Sequence, residues 1–157
     1  MVKINDNEYE GRNKFLESVG SIRNIETQPQ FNWYAVPHQN EAFEGAPKMF
    51  AFSWKAPTAG HIIGVSTEVP EEFRKYWAVH EFLEEDKPQY AGRCLDTLKQ
   101  ELGMVPNVLT GKYIPLRAGF FRGLVDYAKA NNYSSEQVEQ FTLSRDHLNG
   151  LEARLNK

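Results

Sequence analysis

Cysteine is nearly missing: the 157 residues contain one, Cys94. That excludes a disulfide within the chain and a four-cysteine zinc site. Long apolar runs are missing as well. No stretch approaches the ~20 apolar residues of a membrane span, and the opening Met-Val-Lys-Ile-Asn-Asp has no apolar run that would read as a signal peptide. Basic clusters are also lacking. Lys and Arg are scattered, the net charge is −3 and the pI is near 5.8, so the electrostatic footprint of a nucleic-acid or membrane-surface binder is absent. There is no Gly-rich phosphate loop, nucleophile-elbow string or dinucleotide fingerprint. The expectation from these gaps is a cytoplasmic protein with neither nucleic acid nor membrane as a partner.

What is present is an aromatic-rich globular composition. Hydrophobic residues make up 41%, charged residues 25% and aromatics 13%, enough for one core filled by Phe, Tyr and Trp. No linker or repeat interrupts the chain, so residues 1–157 read as a single α+β domain. A first helix is expected over 5–19, with Asn5 or Asp6 as N-cap and Gly20 as stop. Three strands follow, at 31–36, 49–54 and 61–66, the second and third forming a hairpin and all three an antiparallel sheet. Four more helices are expected. They cover 70–85, Tyr90 to Leu102 (stopped by Gly103), Pro115 to about Asn131, and a last one opened by a Ser134/Gln137 capping box. Met104 to Lys112 reads as a connector, and Arg117, Arg122 and Lys129 as the wet face of the fourth helix. The architecture is thus a small three-stranded sheet packed with about five helices.

The helix over 70–85 carries the chemistry. At 100° per residue, Phe73, Tyr76, Trp77 and Leu83 share one face, and His80 and Glu84 fall in the middle of it. An ionisable pair at i and i+4 among aromatics must find partners, because burial unpaired costs several kcal/mol. His80-Glu81-Phe82-Leu83-Glu84 is an H-E-x-x-E string. In the H-E-x-x-H string, the residues at i and i+4 face one metal and the Glu at i+1 can deprotonate a metal-bound water. Carboxylate is an accepted zinc ligand, so His80 and Glu84 are candidate ligands and Glu81 a candidate general base. The alternative is a buried His80–Glu84 structural pair in a non-enzymatic binding or assembly protein. Glu101, on the inner face of the next helix, offers a second interior carboxylate.

The strand His61 to Ser66, the turn to Pro70 and the helix through Trp77-Ala78-Val79-His80-Glu81 together resemble the edge-strand-plus-active-helix unit of small zincin metallopeptidases. The resemblance covers residues 60–102. It implies a metal-dependent peptidase or amide hydrolase, or a decayed relative of one, acting on a peptide or protein. It makes His80 the first metal ligand, Glu81 the catalytic carboxylate and Glu101 the third ligand of a gluzincin-type site. Glu84 stands where that family has its second histidine. One His with two carboxylates cancels the charge of a divalent ion and moves the preference from zinc toward manganese or iron.

The remaining candidates are weaker. His61 could approach the helix from the sheet side as an accessory ligand or donor. His38 and His147 carry no pairing signal and read as surface residues. Cys94 reads as a small buried hydrophobe, with a Cys94–His80 nucleophile–base dyad as a further enzymatic option.

Overall fold

The computed structural model describes residues 2–3, 24–28, 31–39, 43–56, 60–85 and 87–157. The chain divides into two compact units, Met1–Glu85 and Asp86–Lys157. The expected helix over 5–19 lies outside the described residues.

The first unit is built on a mixed five-stranded sheet: β1 (Val2–Lys3), β2 (Asn24–Gln28), β3 (Phe31–Val36), β4 (Ala51–Ala56) and β5 (Gly60–Ser66) in the order β1-β4-β5-β3-β2. The expected hairpin is there, with β4 antiparallel to β5 from Ala51↔Val65 to Ala56↔Gly60. The all-antiparallel, three-stranded sheet is not. β5 inserts between β4 and β3 and runs parallel to β3, from Asn32↔Ile62 to Val36↔Ser66. The connection from Pro37 to Phe50 is long enough to carry the chain past the place where β5 later docks, so neighbours in sequence are not neighbours in the sheet. β1 and β2 add the two edges, parallel to β4 and antiparallel to β3 respectively.

Bulky and small residues alternate so that the centre of this sheet closes. Trp33, Ala35, Val36, Phe52, Ile63 and Val65 are buried. Phe52 faces Gly64 across the hairpin, and a Cβ at Gly64 would collide with the Phe52 ring. Glycine is required there by close approach. From β5 the chain turns through Pro70 and one 3-10 turn, Glu71–Phe73, into helix α1 (Arg74–Glu85), which lies across β5, β4 and β3.

The second unit is helical: α2 (Arg93–Met104), α3 (Asn107–Ala130) and α4 (Ser135–Leu155), with α4 packed against both α2 and α3. Four of the five expected helices are therefore present among the described residues, three with shifted starts, α1 opening at Arg74 after the 3-10 turn. α2 begins at Arg93, which leaves Tyr90 exposed and bonded through its hydroxyl to Asp96 rather than in an apolar face. α3 begins at Asn107, so the expected connector over 104–112 is mostly helix and Pro115 lies inside it. Proline removes the bond to the carbonyl four residues back, a cost of about 3 kcal/mol. Burial of Tyr113, Ile114, Arg117 and Ala118 around it outweighs that cost. At the far end Asn132 takes a left-handed φ of 59°, and the Tyr133 N–H donates to Ala128 O at 3.1 Å. This closes the helix with a Schellman-type cap, across which Tyr127 and Tyr133 make an edge contact. Ser134 caps α4 by accepting from the Gln137 N–H at 3.2 Å.

Candidate functional site

Helix α1 is pinned at both ends. At its start Arg74 donates from Nε to Val69 O at 2.7 Å and from a terminal nitrogen to Thr67 O at 3.1 Å, tying the helix to the turn that leaves β5. At its end the Ser53 hydroxyl, on β4, donates to the Glu85 carboxylate. Between them Trp77 stacks on Phe50 with ring centroids 6.0 Å apart. Phe73, Tyr76, Trp77 and Ala78 are buried, and Leu83 is half-buried.

On this fixed rod His80 and Glu84 come together as the helical spacing requires. His80 Nε2 lies 3.3 Å from Glu84 Oε2, and the two residues are 5% and 3% exposed. Each offers one atom able to bind a metal ion. Glu81, one step round the helix, is 4% exposed, so the burial of α1 extends beyond the aromatic stripe to the residue read as the general base. The pair is thus a low-dielectric site where any charge is costly unless matched. The His61 backbone pairs with Lys55 in the β4–β5 hairpin; its side chain is outside what the structure describes.

Glu101 is as deeply buried as its helical position suggested, and its carboxylate has other partners. Arg117 of α3 forks onto it, Nε to Oε2 at 2.9 Å and a terminal nitrogen to Oε1 at 2.7 Å, and the Tyr113 hydroxyl also donates to Oε2. Both oxygens of the residue expected to be the third metal ligand are therefore engaged within the helical unit. Arg117 already balances their charge. Burial alone would lower the Arg117 pKa, but the Glu101 carboxylate outweighs it and holds the guanidinium more firmly protonated than usual. Burial pushes the Tyr113 phenol well above the ordinary tyrosine range, and the neighbouring Glu101 charge adds to the rise.

This network runs against the expectation that Arg117 lies on the wet face of its helix. Arg117 is 3% exposed. At 100° per residue Arg117 falls between Phe121 and Leu124 wherever the helix starts, and an arginine among apolar residues signals a buried acid elsewhere. His38 is a second correction. It is stacked on Phe43 at 4.8 Å and edge-on to Phe50 at 5.0 Å, with Nδ1 2.8 Å from Ser66 Oγ and Nε2 2.9 Å from Pro47 O. It fastens the connection after β3 to the end of β5. His147 is half-buried, with its pKa lowered first by burial and then by Lys99 and Arg154. Cys94 is buried as expected, and its sulfur accepts from Ser144 Oγ at 3.2 Å.

No family model, curated protein or solved structure matches the chain. Among the described residues no helix is long and apolar enough to cross a membrane.

Proposed function

We propose that the chain binds a divalent metal ion on α1 through His80 Nε2 and Glu84 Oε2. The observation that carries this reading is the 3.3 Å between those two atoms in a buried setting. A charge-assisted N–H···O bond prefers about 2.7–2.9 Å. Two donors each ~2.0–2.2 Å from one zinc ion, and 3.3 Å from each other, subtend about 100° at the ion, near the tetrahedral angle. Imidazole nitrogen with carboxylate oxygen suits zinc, and equally manganese or iron. Arg117 and Tyr113 already account for the Glu101 carboxylate, so the proposed site does not include it.

The resemblance to zincins supplies the finer form of the proposal: His80 and Glu84 would hold the ion, the ion would supply an activated water able to hydrolyse a peptide or amide, and Glu81 would act as the general base that takes the water's proton. The 4% exposure of Glu81 favours a firmly held ion over turnover of a bulky substrate. A second reading has its own support. The direct approach of His80 and Glu84 is a serviceable structural pair, as a non-enzymatic binding or assembly protein would use to fix α1 on its sheet. Elemental analysis of the purified chain separates the two readings. Zinc, manganese or iron near one per chain, lost in His80→Ala while circular dichroism stays native, supports the metal. A metal-free chain that takes up none of the three on dialysis removes it.

A further inference from the structure

α3 presents a second face that the helical unit does not use. On a 100° projection Val108, Lys112, Pro115, Gly119, Gly123 and Asp126 all point within about 40° of one direction, opposite the buried Tyr113, Arg117, Phe121 and Leu124. Five of the six are exposed and Pro115 is half-buried; Val108 is 89% exposed.

Glycine is a poor residue for the interior of a long helix, yet Gly119 and Gly123 sit in the middle of this 24-residue one. Nothing inside the unit demands them. A Cβ at Gly123 would meet nothing within 4 Å, and one at Gly119 would meet only the tip of Arg122 at 3.9 Å. Arg122 itself is turned toward α4, bonded to Asn149 and Glu152. What the glycines do supply is a flat strip on which another backbone can approach closely.

The charges along the strip say what that backbone belongs to. Lys112 lies seven residues before Gly119 and Asp126 seven after; Pro115 and Gly123 lie four before and four after. The pattern is antisymmetric in charge about Gly119, with compact residues at the positions between. Neither Lys112 nor Asp126 has an ion-pair partner among the described residues. A two-fold axis through Gly119 brings each Lys112 opposite Asp126 of the other copy, and Pro115 opposite Gly123, as a self-complementary interface requires.

We propose that the exposed face of α3 docks on the same face of a second copy of this chain, antiparallel, with the two Gly119 positions at the crossing. A single helix face is small beside a standard interface, so the dimer forms in a concentration-dependent manner and its two ion pairs set orientation more than strength.

Sedimentation of the full chain over a range of micromolar concentrations tests this. The wild type is expected to shift from monomer toward dimer as concentration rises. Lys112→Asp and Asp126→Lys, each alone, set like charges against each other and are expected to be monomeric over the same range. Mixing those two variants restores every pair, so the mixture is expected to dimerise as a heterodimer although neither component does alone. Gly119→Leu, open to solvent within its own unit, is expected to keep the native fold and lose the dimer. A wild type that stays monomeric at the highest concentration overturns the proposal. So does a dimer that survives Lys112→Asp unchanged, or a variant mixture that remains monomeric.

Discussion

The sheet unit and the helical unit each bury a carboxylate beside a basic side chain, and the two pairs are built differently. In the helical unit Arg117 meets Glu101 through two bonds of 2.7 and 2.9 Å, and Tyr113 takes a further lone pair. The partners come from different helices, so their attraction also holds α2 to α3. In the sheet unit His80 and Glu84 sit on one helix at 3.3 Å with a single contact between them. Helical spacing brings them together without any tertiary cost. The first pair joins a carboxylate to a permanent cation; the second joins one to an imidazole, itself a common metal ligand. Burial alone therefore does not identify a metal site. The two pairs differ in the basic partner, a guanidinium that binds no metal against an imidazole that does.

Breaking the closed pair is expected to have the largest effect. Glu101→Ala leaves the Arg117 guanidinium buried without its counter-charge and should cost about 3–5 kcal/mol in denaturant unfolding. Replacing both partners, Glu101→Leu with Arg117→Met, should recover most of that loss, since an apolar pair carries no desolvation penalty. A single-variant loss below about 1 kcal/mol would mean the network is far less buried than the structure shows it to be.

Glu84→Gln should cost less, ~1–3 kcal/mol, because it keeps the shape of the side chain and weakens its charge-assisted contact with His80. If it cost as much as Glu101→Ala, the distinction between the two pairs would fail. Tyr113→Phe should cost ~0.5–1.5 kcal/mol through its lost hydrogen bond, and it carries a pH signature. The folded pKa of Tyr113 is raised, so its contribution is fully present below the unfolded value of about 10 and is lost as pH rises through the folded one. The wild type should accordingly lose more stability between neutral and strongly alkaline pH than Tyr113→Phe does. Equal losses would show that Tyr113 ionises freely.

The smallest expected effect is at His147. Its folded pKa is lowered, so its contribution is present above the unfolded value near 6.5 and is lost as pH falls toward the folded one. Partial exposure keeps this slight. Melting curves of wild type and His147→Gln should diverge only modestly between pH ~7 and ~5, and a larger drop in the variant would reverse the sign.

Much of the sheet unit was legible from local pattern. Strand 31–36 alternates large and small residues, and the β4–β5 hairpin follows from two apolar runs with a Gly-Pro-rich turn between them. The His80–Glu84 pair follows from nothing more than 100° per residue. The parallel β3–β5 pairing was not legible, because it depends on where a later strand docks and no local residue encodes that. On the helical side Pro115 misled. Proline usually opens a helix, and here packing of Tyr113 and Ile114 carries the helix eight residues further upstream, to Asn107. Arg117 falls between Phe121 and Leu124 at 100° per residue wherever that helix starts, so its burial was legible, and reading it as solvent-facing hid the partner of Glu101. Glu101 was correctly read as buried, but its role could not follow until Arg117 was found.

Thermal unfolding of the full chain with and without added zinc or manganese tests the central claim most directly. An ion that binds only the folded state raises stability by RT ln(1 + [L]/Kd), about 2.7 kcal/mol at a hundredfold excess over Kd. The melting temperature is expected to rise with metal in the wild type and in the Glu101→Leu/Arg117→Met variant, and to stay flat in His80→Ala. A wild type whose melting temperature does not move with any of these ions, or a shift that disappears with Glu101 and survives loss of His80, would contradict the assignment of the metal to α1.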